Sequence, residues 1–199
     1  MKQVRYIVAF LLIFSASLAF AGESPGPEEA VKTSVNTILT TLKNDTLSLE
    51  QKQEKVVTIM DRMFDFSLIG KLCLGRANWS RFDPGQKSEY TDLFADFFKE
   101  FYSDKIELFN NEKIVFSPGT ISGKKAQIPS HLISNGEKTA MIYRLYRSNS
   151  GWKVYDVEVE GISIVKSYRS QFSRVLEDGT PETLLKKLRE KEIEGATGN

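Results

Sequence analysis

Residues 138–160 read KTAMIYRLYRSNSGWKVYDVEVE, and this stretch decides the fold class. Apolar side chains recur at every second position on either side of the polar segment SNSG, which predicts two antiparallel β-strands joined by a turn. Both faces of the first strand carry large side chains, so we expect both faces of the sheet to be covered. The same period begins near Lys113. Four antiparallel strands are therefore predicted, at residues 113–116, 124–133, 138–147 and 152–160.

Helical periodicity occupies the chain before and after these strands. Ser48 with Gln51, and Asp83 with Gln86, have the spacing of helix capping boxes. The apolar segment that ends at Gly75 predicts a short buried helix. The order of helices, then strands, then helices indicates an α+β domain with a segregated antiparallel sheet.

The longest predicted helix runs from Pro84 towards Phe109 and carries one wide aromatic stripe. The stripe lies opposite a charged face and consists of Tyr90, Leu93, Phe94, Phe97, Phe98, Phe101 and Tyr102. Such a stripe is either a seam of the core or one wall of an apolar cavity, and the pattern alone does not distinguish the two.

Residues that carry catalysis or bind metals are scarce. Cys73 is the only cysteine and His131 the only histidine, so the chain cannot form an internal disulfide, and it gives little support to a zinc site or a Cys/His pair. We therefore expect no catalytic residue, no metal ion and no cofactor. The 27 basic residues nearly balance the 26 acidic ones, which argues against nucleic acid as a partner.

The first residues have the pattern of an export signal. Lys2 and Arg5 precede a short apolar run, and Ala19 and Ala21 follow it at the spacing of a cleavage site. We expect residues 1–21 to be removed as a signal peptide, which leaves a single domain at residues 22–199 with an ordered core at about 28–193. A retained membrane anchor is the alternative, although the run is shorter than the roughly 20 apolar residues of a spanning helix.

Three segments resemble the MlaC family, also known as toluene-tolerance proteins. They read FDFSLIGKLCLGRANWSRFDPGQKSEYTDLF at residues 64–94, WKVYDVEVEGISIVKSYRSQFSRVL at residues 152–176 and GTPETLLKKLREK at residues 179–191. The resemblance implies helices packed over a twisted sheet, enclosing an apolar cavity for the acyl chains of a phospholipid. It also implies a periplasmic carrier and not an enzyme, with a monomer expected.

The resemblance further implies two partner complexes in the cell envelope. One is an outer-membrane lipoprotein complex, and the other is an inner-membrane ABC transporter with an MCE-domain ring, for which the chain would be an auxiliary component. Shuttling lipid between them would maintain the lipid asymmetry of the outer membrane. The hopanoid-pathway branch of the family stays open, and it would change the lipid but not the mechanism.

Residues of the cavity are expected where apolar side chains of separate elements converge. These elements are the aromatic helix, the third and fourth strands, and the turn that follows Gly161. The candidate lining residues are Phe94, Phe97, Phe98, Phe101, Met141, Tyr143, Leu145, Tyr155, Val157, Val159, Ile162 and Ile164. The polar head group should stay at the mouth, near cations among Arg76, Arg81, Arg144, Arg147 and Lys153.

Two other classes of function remain open from the sequence. A small envelope enzyme with this fold could use Asp65, Asp156 or Tyr143 as an acid or base, which requires a positioned partner and a tuned pKa. A scaffold that only bridges envelope proteins would use the aromatic stripe as a filled core.

The signal-peptide hypothesis makes a direct prediction about the secreted protein. Its N-terminal residue should be Gly22, because Ala19 and Ala21 place the cleavage site after Ala21. Edman sequencing of periplasmic material measures this. Recovery of residues 1–14 in a membrane fraction would contradict it.

Overall fold

The computed structural model describes residues 25–109 and 111–195; the predicted signal peptide and its cleavage site lie outside these residues. Helices precede and follow one sheet in the described chain. The helices are α1 (Pro27–Leu42), α2 (Leu49–Met63), α3 (Phe66–Trp79), α4 (Pro84–Asp104), α5 (Ile164–Glu177) and α6 (Pro181–Arg189). The strands are β1 (Lys113–Phe116), β2 (Thr120–Ser122), β3 (Lys125–Ser134), β4 (Glu137–Ser148), β5 (Gly151–Val159) and β6 (Ile162–Ser163).

The sheet is an antiparallel meander in the order β1-β3-β4-β5-β6, and β2 pairs with the part of β3 that β1 leaves free. The predicted α+β class and the antiparallel sheet are thus confirmed. The strand count was wrong, because the described chain forms six strands and not four. The two extra strands are short: β2 has three residues and β6 has two. Glu160 and Gly161, with φ of 48° and 79°, form the tight hairpin turn that leads into β6.

A register shift between β4 and β5 changes which side chains face inwards. Arg144 pairs with Asp156, but the next residue, Leu145, pairs with Val154. Tyr155 is therefore the extra residue of a β-bulge. As a result Val154 and Val157 share the inner face of the sheet.

Helices α1 and α2 cover the inner face of the sheet. α1 packs against β1 and β3, and α2 packs against β5, which α3 and α5 also contact. The expectation that both faces are covered was wrong where β1 pairs with β3. Val115 on β1 is 52% exposed, and its partner on β3, His131, is exposed as well.

Local sequence signals fix where the helices begin. Both reciprocal hydrogen bonds of a capping box are present between Ser48 and Gln51 and between Asp83 and Gln86. Pro84 then occupies the first turn of α4, where a missing N–H costs nothing. These predicted helix starts are confirmed.

Gly75 breaks α3, as the sequence predicted for the end of this helix. Its backbone has φ 70° and ψ 164°, a conformation that is essentially restricted to glycine. The break exposes carbonyl groups, and the guanidinium of Arg169 on α5 donates to the carbonyl of Leu72 at 2.8 Å. In return Arg81 donates at 2.7 Å to the carbonyl of Leu176 in the last turn of α5. Two arginine contacts thus link α5 to α3 and to the turn that follows α3.

The filled core lies among α3, α4 and α5 and is largely aromatic. Phe94 of α4 meets Tyr168 and Phe172 of α5 edge-on, with ring centroids 6.0 and 6.2 Å apart. Tyr90 is fully buried, and its hydroxyl donates to the carbonyl of Gly70 on α3 at 2.9 Å. Edge-to-face ring pairs contribute about 0.5–1.5 kcal/mol each beyond their burial. This cluster joins the three helices into one unit.

Replacing Gly75 by Ala tests the role of the helix break. A Cβ at this position would have room, since its nearest neighbour is the Arg169 side chain at 3.5 Å. The cost therefore comes from backbone strain alone, and we expect unfolding to become easier by about 1–3 kcal/mol. Urea unfolding followed by circular dichroism measures it. An unchanged midpoint and slope would show that the backbone at Gly75 relaxes freely.

Candidate functional site

An apolar cavity of about 490 Å³ lies between the inner face of the sheet and the helices that cover it. We call it the first cavity. α1 contributes Ile38, Leu39 and Leu42 to its lining, and α2 contributes Val56 and Met60. Other parts of the lining come from the sheet, from the end of α4 and from the segment that follows α4.

The contribution of α1 explains why its C-terminal half is only partly buried. Val31 and Val35 in the first half are buried in the core, whereas Ile38, Leu39 and Leu42 are half-buried. All five belong to one apolar stripe at helical spacing. The stripe therefore passes from filled core to open cavity along a single helix.

Two cross-strand pairs form the floor of the first cavity. Met141 pairs with Val159, and Tyr143 pairs with Val157, all on the inner face of β4 and β5. Opposite residues on one face of an antiparallel pair lie about 5 Å apart, so their side chains form a continuous surface. Leu132 of β3 and Ile164 of α5 extend this floor on either side.

An aromatic wall separates the first cavity from the filled core. Phe98 stacks at an angle on Tyr102, with ring centroids 4.6 Å apart, and its centroid lies 6.2 Å from that of Phe64. Phe98 also contacts Phe94 at 5.9 Å inside the core. One ring thus belongs to both the core and the cavity lining.

The lining is electrically neutral except at its rim. Burial raises the pKa of Tyr102 and of Tyr143 to about 12, so both phenols stay protonated at neutral pH. The lining contains one basic side chain, Lys105, which is exposed, and one acidic side chain, Glu112, which is half-buried. The Lys105 ammonium also lies 5.2 Å from the ring centroid of Phe101. The interior therefore suits an apolar ligand, with charge available only at the edge.

Half of the residues proposed from the sequence line the first cavity. They are Phe98, Met141, Tyr143, Val157, Val159 and Ile164.

The other six residues lie elsewhere. Phe94 and Phe97 are buried in the aromatic core against Tyr168, and Phe101 packs beside Tyr102. Tyr155 is the bulge residue beside Tyr146. Leu145 lines a different cavity of about 460 Å³ under the start of α1, which we call the second cavity.

Ile162 occupies a position at the edge of the first cavity. It is 55% exposed. It lies on β6 and pairs with Val159 of β5, which lines the cavity. Paired residues of an antiparallel sheet share a face, so Ile162 extends the cavity side of the sheet outwards.

The sequence analysis missed the cavity residues on α1 and α2 and the aromatic residues around them. The candidate lining residues named from the sequence include none of Ile38, Leu39, Leu42, Val56, Met60 and Phe64, all of which line the first cavity. A signal did exist, because the apolar stripe of α1 is wider than one short helix needs to pack on a single neighbour. The pattern could not show what the stripe faces.

The acidic residues that an enzyme would use have structural partners outside the first cavity. Asp65 caps α3 by accepting from the Leu68 amide at 2.9 Å, and it also accepts from the Tyr146 hydroxyl. Asp156 accepts from the Ser163 hydroxyl at 2.7 Å and from the Val165 amide at 3.1 Å, at the start of α5. Both carboxylates hold helix N-termini, where negative charge is stabilised.

The five cations suggested for a head group do not line the first cavity. Arg81 binds the end of α5, Arg144 pairs with Glu158 at 2.6 Å, and Lys153 donates to the Arg62 carbonyl at 2.5 Å. Burial raises the pKa of the Cys73 thiol, which keeps it protonated. Among residues 25–109 and 111–195, no helix is both long and apolar enough to cross a bilayer.

Comparison with known proteins identifies a family to which the chain is similar. Residues 32–190 match the family model described as MlaC protein. Over 96 residues the chain is 29% identical to the toluene tolerance protein Ttg2D of Pseudomonas putida, which covers 47% of this chain and 45% of that relative. The chain therefore matches about half the length of this curated relative.

A solved structure matches over a longer range. It is a phospholipid-binding protein from Ralstonia solanacearum in complex with a phospholipid, with a TM-score of 0.74 and 27% identity. The match covers 84% of this chain and 97% of that one. The resemblance seen in the sequence is confirmed by these matches, and neither relative is described as an enzyme.

Burial of Tyr143 should make the free energy of unfolding decrease with pH in the alkaline range. Its pKa is raised to about 12 in the folded state from an ordinary value of 10.0, so the stabilisation is complete below pH 10 and is lost as pH rises towards 12. When the pH rises from 10 to 12, the free energy of unfolding should decrease by about 1–3 kcal/mol less in Tyr143→Phe than in the unmodified protein. Denaturant unfolding at a series of pH values measures the difference. Equal slopes for the two proteins would contradict it.

Proposed function

The chain belongs to the MlaC family, and from this premise we propose that it carries a phospholipid by enclosing acyl chain in the first cavity. The proposal extends to the route: lipid passes through the periplasm between an outer-membrane lipoprotein complex and an inner-membrane ABC transporter with an MCE-domain ring. The protein would thereby help to maintain the lipid asymmetry of the outer membrane.

The observation that carries this proposal is the apolar lining of the first cavity, which is neutral except at its rim. The volume is about 490 Å³. If one methylene occupies ~30 Å³, as a water molecule does in the liquid, this volume holds roughly sixteen methylenes. Moving sixteen methylenes out of water is favourable by about 13 kcal/mol. A cavity of this kind therefore recovers the cost that keeps an acyl chain from crossing water.

The solved relative supports the choice of ligand. The Ralstonia solanacearum protein was solved with a phospholipid, and its fold matches 84% of this chain. The aromatic wall at Phe64 and Phe98 and the floor at Met141 and Val159 offer flat and flexible apolar surfaces to such chains.

The head group fits the rim better than the interior. Lys105 supplies a positive charge there and Glu112 a negative one, while the interior residues Tyr102 and Tyr143 are neutral. A charged phosphate in the interior would lose its hydration without a partner charge. We therefore place the phosphate in water at the edge near Lys105, with weak and exchangeable contacts.

The proposal assigns no catalytic step to the chain. Asp65 and Asp156, the two carboxylates that an enzyme would use, bind helix N-termini outside the first cavity. The phenol of Tyr143 lines the cavity, but its raised pKa makes it a poor base at neutral pH. Binding and release are the only events that the cavity requires.

Leu39→Glu tests the carrier function, with Thr40→Glu as its matched control. Leu39 is half-buried and lines the cavity, whereas its neighbour Thr40 is exposed on the same helix. A carboxylate at position 39 must either stay hydrated, which keeps chains out, or become neutral at a cost of several kcal/mol. We expect bound phospholipid to fall about tenfold or more in Leu39→Glu and to stay unchanged in Thr40→Glu.

Native mass spectrometry of mature protein from the periplasm measures the bound lipid, and solvent extraction identifies it. Thermal unfolding on the same samples shows whether both variants are folded. A folded Leu39→Glu protein with normal lipid content would contradict the proposed cavity. Recovery of wild-type protein without lipid would favour a scaffold, extraction of a hopanoid would change the ligand, and turnover of the extracted lipid would indicate an enzyme.

A further inference from the structure

We propose that the surface formed by α3 and α5 docks the protein on an anionic phospholipid bilayer. We call this surface the basic face and define it by its five exposed cations, which are Lys71, Arg76, Lys166, Arg169 and Arg174. The inference goes beyond the proposed function, because it concerns the outside of the protein and not the cavity. Docking is measured as binding to intact vesicles, so its failure is distinguishable from a failure of lipid carriage.

Positive charge is concentrated on these two helices, although the whole chain is nearly neutral. The chain has 27 basic and 26 acidic residues. α3 contains no acidic residue, and the acidic residue of α5 is Glu177, at its C-terminal end. Two neighbouring helices therefore carry an excess of positive charge that the overall composition does not have.

On α5 the cations lie in one exposed stripe together with small polar residues. The stripe follows the helical period at positions i, i+3, i+4, i+7 and i+8, and it consists of Lys166, Arg169, Ser170, Ser173 and Arg174. The Arg174 guanidinium donates to the Ser170 hydroxyl at 3.4 Å, along the direction of the stripe. The buried side of the helix is opposite, where Tyr168 and Phe172 enter the aromatic core.

Arg169 brings the cations of α3 next to this stripe. Its guanidinium donates to the Leu72 carbonyl at 2.8 Å, and the exposed Lys71 directly precedes Leu72. Arg169 also lies over the break in α3, since a Cβ at Gly75 would be 3.5 Å from its Nε atom. The exposed Arg76 directly follows this break. The cations of the two helices therefore adjoin on the surface.

The basic face forms no ion pair within the part of the chain that the structure describes. Other surface cations have acidic partners: a nitrogen of Arg144 lies 2.6 Å from an oxygen of Glu158, and one of Arg189 lies 2.8 Å from an oxygen of Glu182. No ion pair among residues 25–109 and 111–195 includes a cation of the basic face. These cations can therefore bind an external anion without first breaking an internal pair.

The chemistry of the basic face fits lipid phosphates better than a protein partner. Protein interfaces are anchored by large apolar or aromatic side chains near their centre. The structure describes every residue of α3 and α5, and no large apolar side chain of either helix is exposed. Guanidinium groups and the hydroxyls of Ser170 and Ser173 are donors that phosphate oxygens accept. Clustered cations of this kind are attracted to anionic bilayers.

Trp79 at the end of α3 borders the basic face. The ammonium groups of Lys71 and Lys87 lie 5.6 and 5.7 Å from its ring centroid. The indole is half-buried, so part of it reaches the surface between the two lysines. Tryptophan and lysine side chains are both suited to the level of lipid head groups, where one end is apolar and the other is hydrated.

The basic face also adjoins an edge of the first cavity. Ile164, the first residue of α5, lines that cavity, and the nearby Ile162 is exposed. Lys166 follows in the first turn of α5 and is exposed as well. A protein held on a bilayer by α5 would therefore have this edge of its cavity close to the lipid surface.

Charge reversal tests docking, with a control of equal net charge. Lys71→Glu/Lys166→Glu changes two cations of the basic face, and Lys55→Glu/Lys138→Glu changes two exposed lysines on α2 and β4. A carboxylate at position 166 lies in the first turn of α5, where negative charge is stabilised. Purified mature protein is floated with vesicles of phosphatidylcholine, either pure or with one-third phosphatidylglycerol. Thermal unfolding shows whether the variants are folded.

We expect the wild type to bind the phosphatidylglycerol vesicles about tenfold or more tightly than pure phosphatidylcholine, and to lose this binding between about 0.1 and 1 M salt. Lys71→Glu/Lys166→Glu should bind them about tenfold or more weakly than the wild type, and the control should bind normally. Equal binding of the wild type to both vesicles overturns the inference and indicates an acidic protein as the partner instead. Equal weakening in both variants also overturns it. Native mass spectrometry of the same samples tests lipid carriage separately.

A measurement on the unmodified protein covers the case in which the first variant does not fold. Its lysines are acetylated with and without phosphatidylglycerol vesicles, and the modified peptides are quantified by mass spectrometry. The vesicles should protect Lys71 and Lys166 from acetylation and leave Lys55 and Lys138 unprotected. Equal protection of all four lysines, or protection of none, overturns the inference.

Discussion

The cavities exist because the aromatic core of α3, α4 and α5 packs against itself. Phe94 is enclosed by rings from its own helix and from α5, and the side chains of Arg169 and Arg81 link α5 to α3 and to the turn that follows α3. Of these three helices, α3 and α5 also contact the sheet at β5. α1 covers β1 and β3, and α2 covers another part of β5. The C-terminal half of α1 does not fill the space above the sheet, because Ile38, Leu39 and Leu42 are only half-buried.

Phe98 lies at the boundary between the filled aromatic core and the first cavity. It lies four residues after Phe94 on the same stripe of α4, yet its ring contacts Phe64 and Tyr102 at the cavity wall. A rigid core beneath the wall fixes the position of this ring. The floor is equally well defined, because the β-bulge at Tyr155 directs both Val154 and Val157 inwards. Fixed surfaces thus enclose the cavity on the side of the core and on the side of the sheet.

The sequence predicted the elements well and their surroundings only in part. Period-two alternation located β3, β4 and β5, and capping residues such as Ser48 and Asp83 located helix starts, because these signals are local. The cavity depends on which elements meet, which a single stripe does not encode. Phe94 and Phe98 have the same helical phase, but only tertiary packing places one in the core and the other at the cavity. The bulge that turns Tyr155 away left no pattern in the sequence.

The neutral lining has a consequence for the energetics of transport. Tyr102 and Tyr143 keep their protons throughout the physiological pH range, so neither a proton nor a change in salt concentration alters the interior. If the chain carries lipid as proposed, the described residues of the cavity interior supply no titrating group that distinguishes loading from unloading. By microscopic reversibility such a carrier would equilibrate its cargo between donor and acceptor, and its net flux would follow their chemical potentials. Any directed flow must therefore take its free energy from a machine outside the carrier.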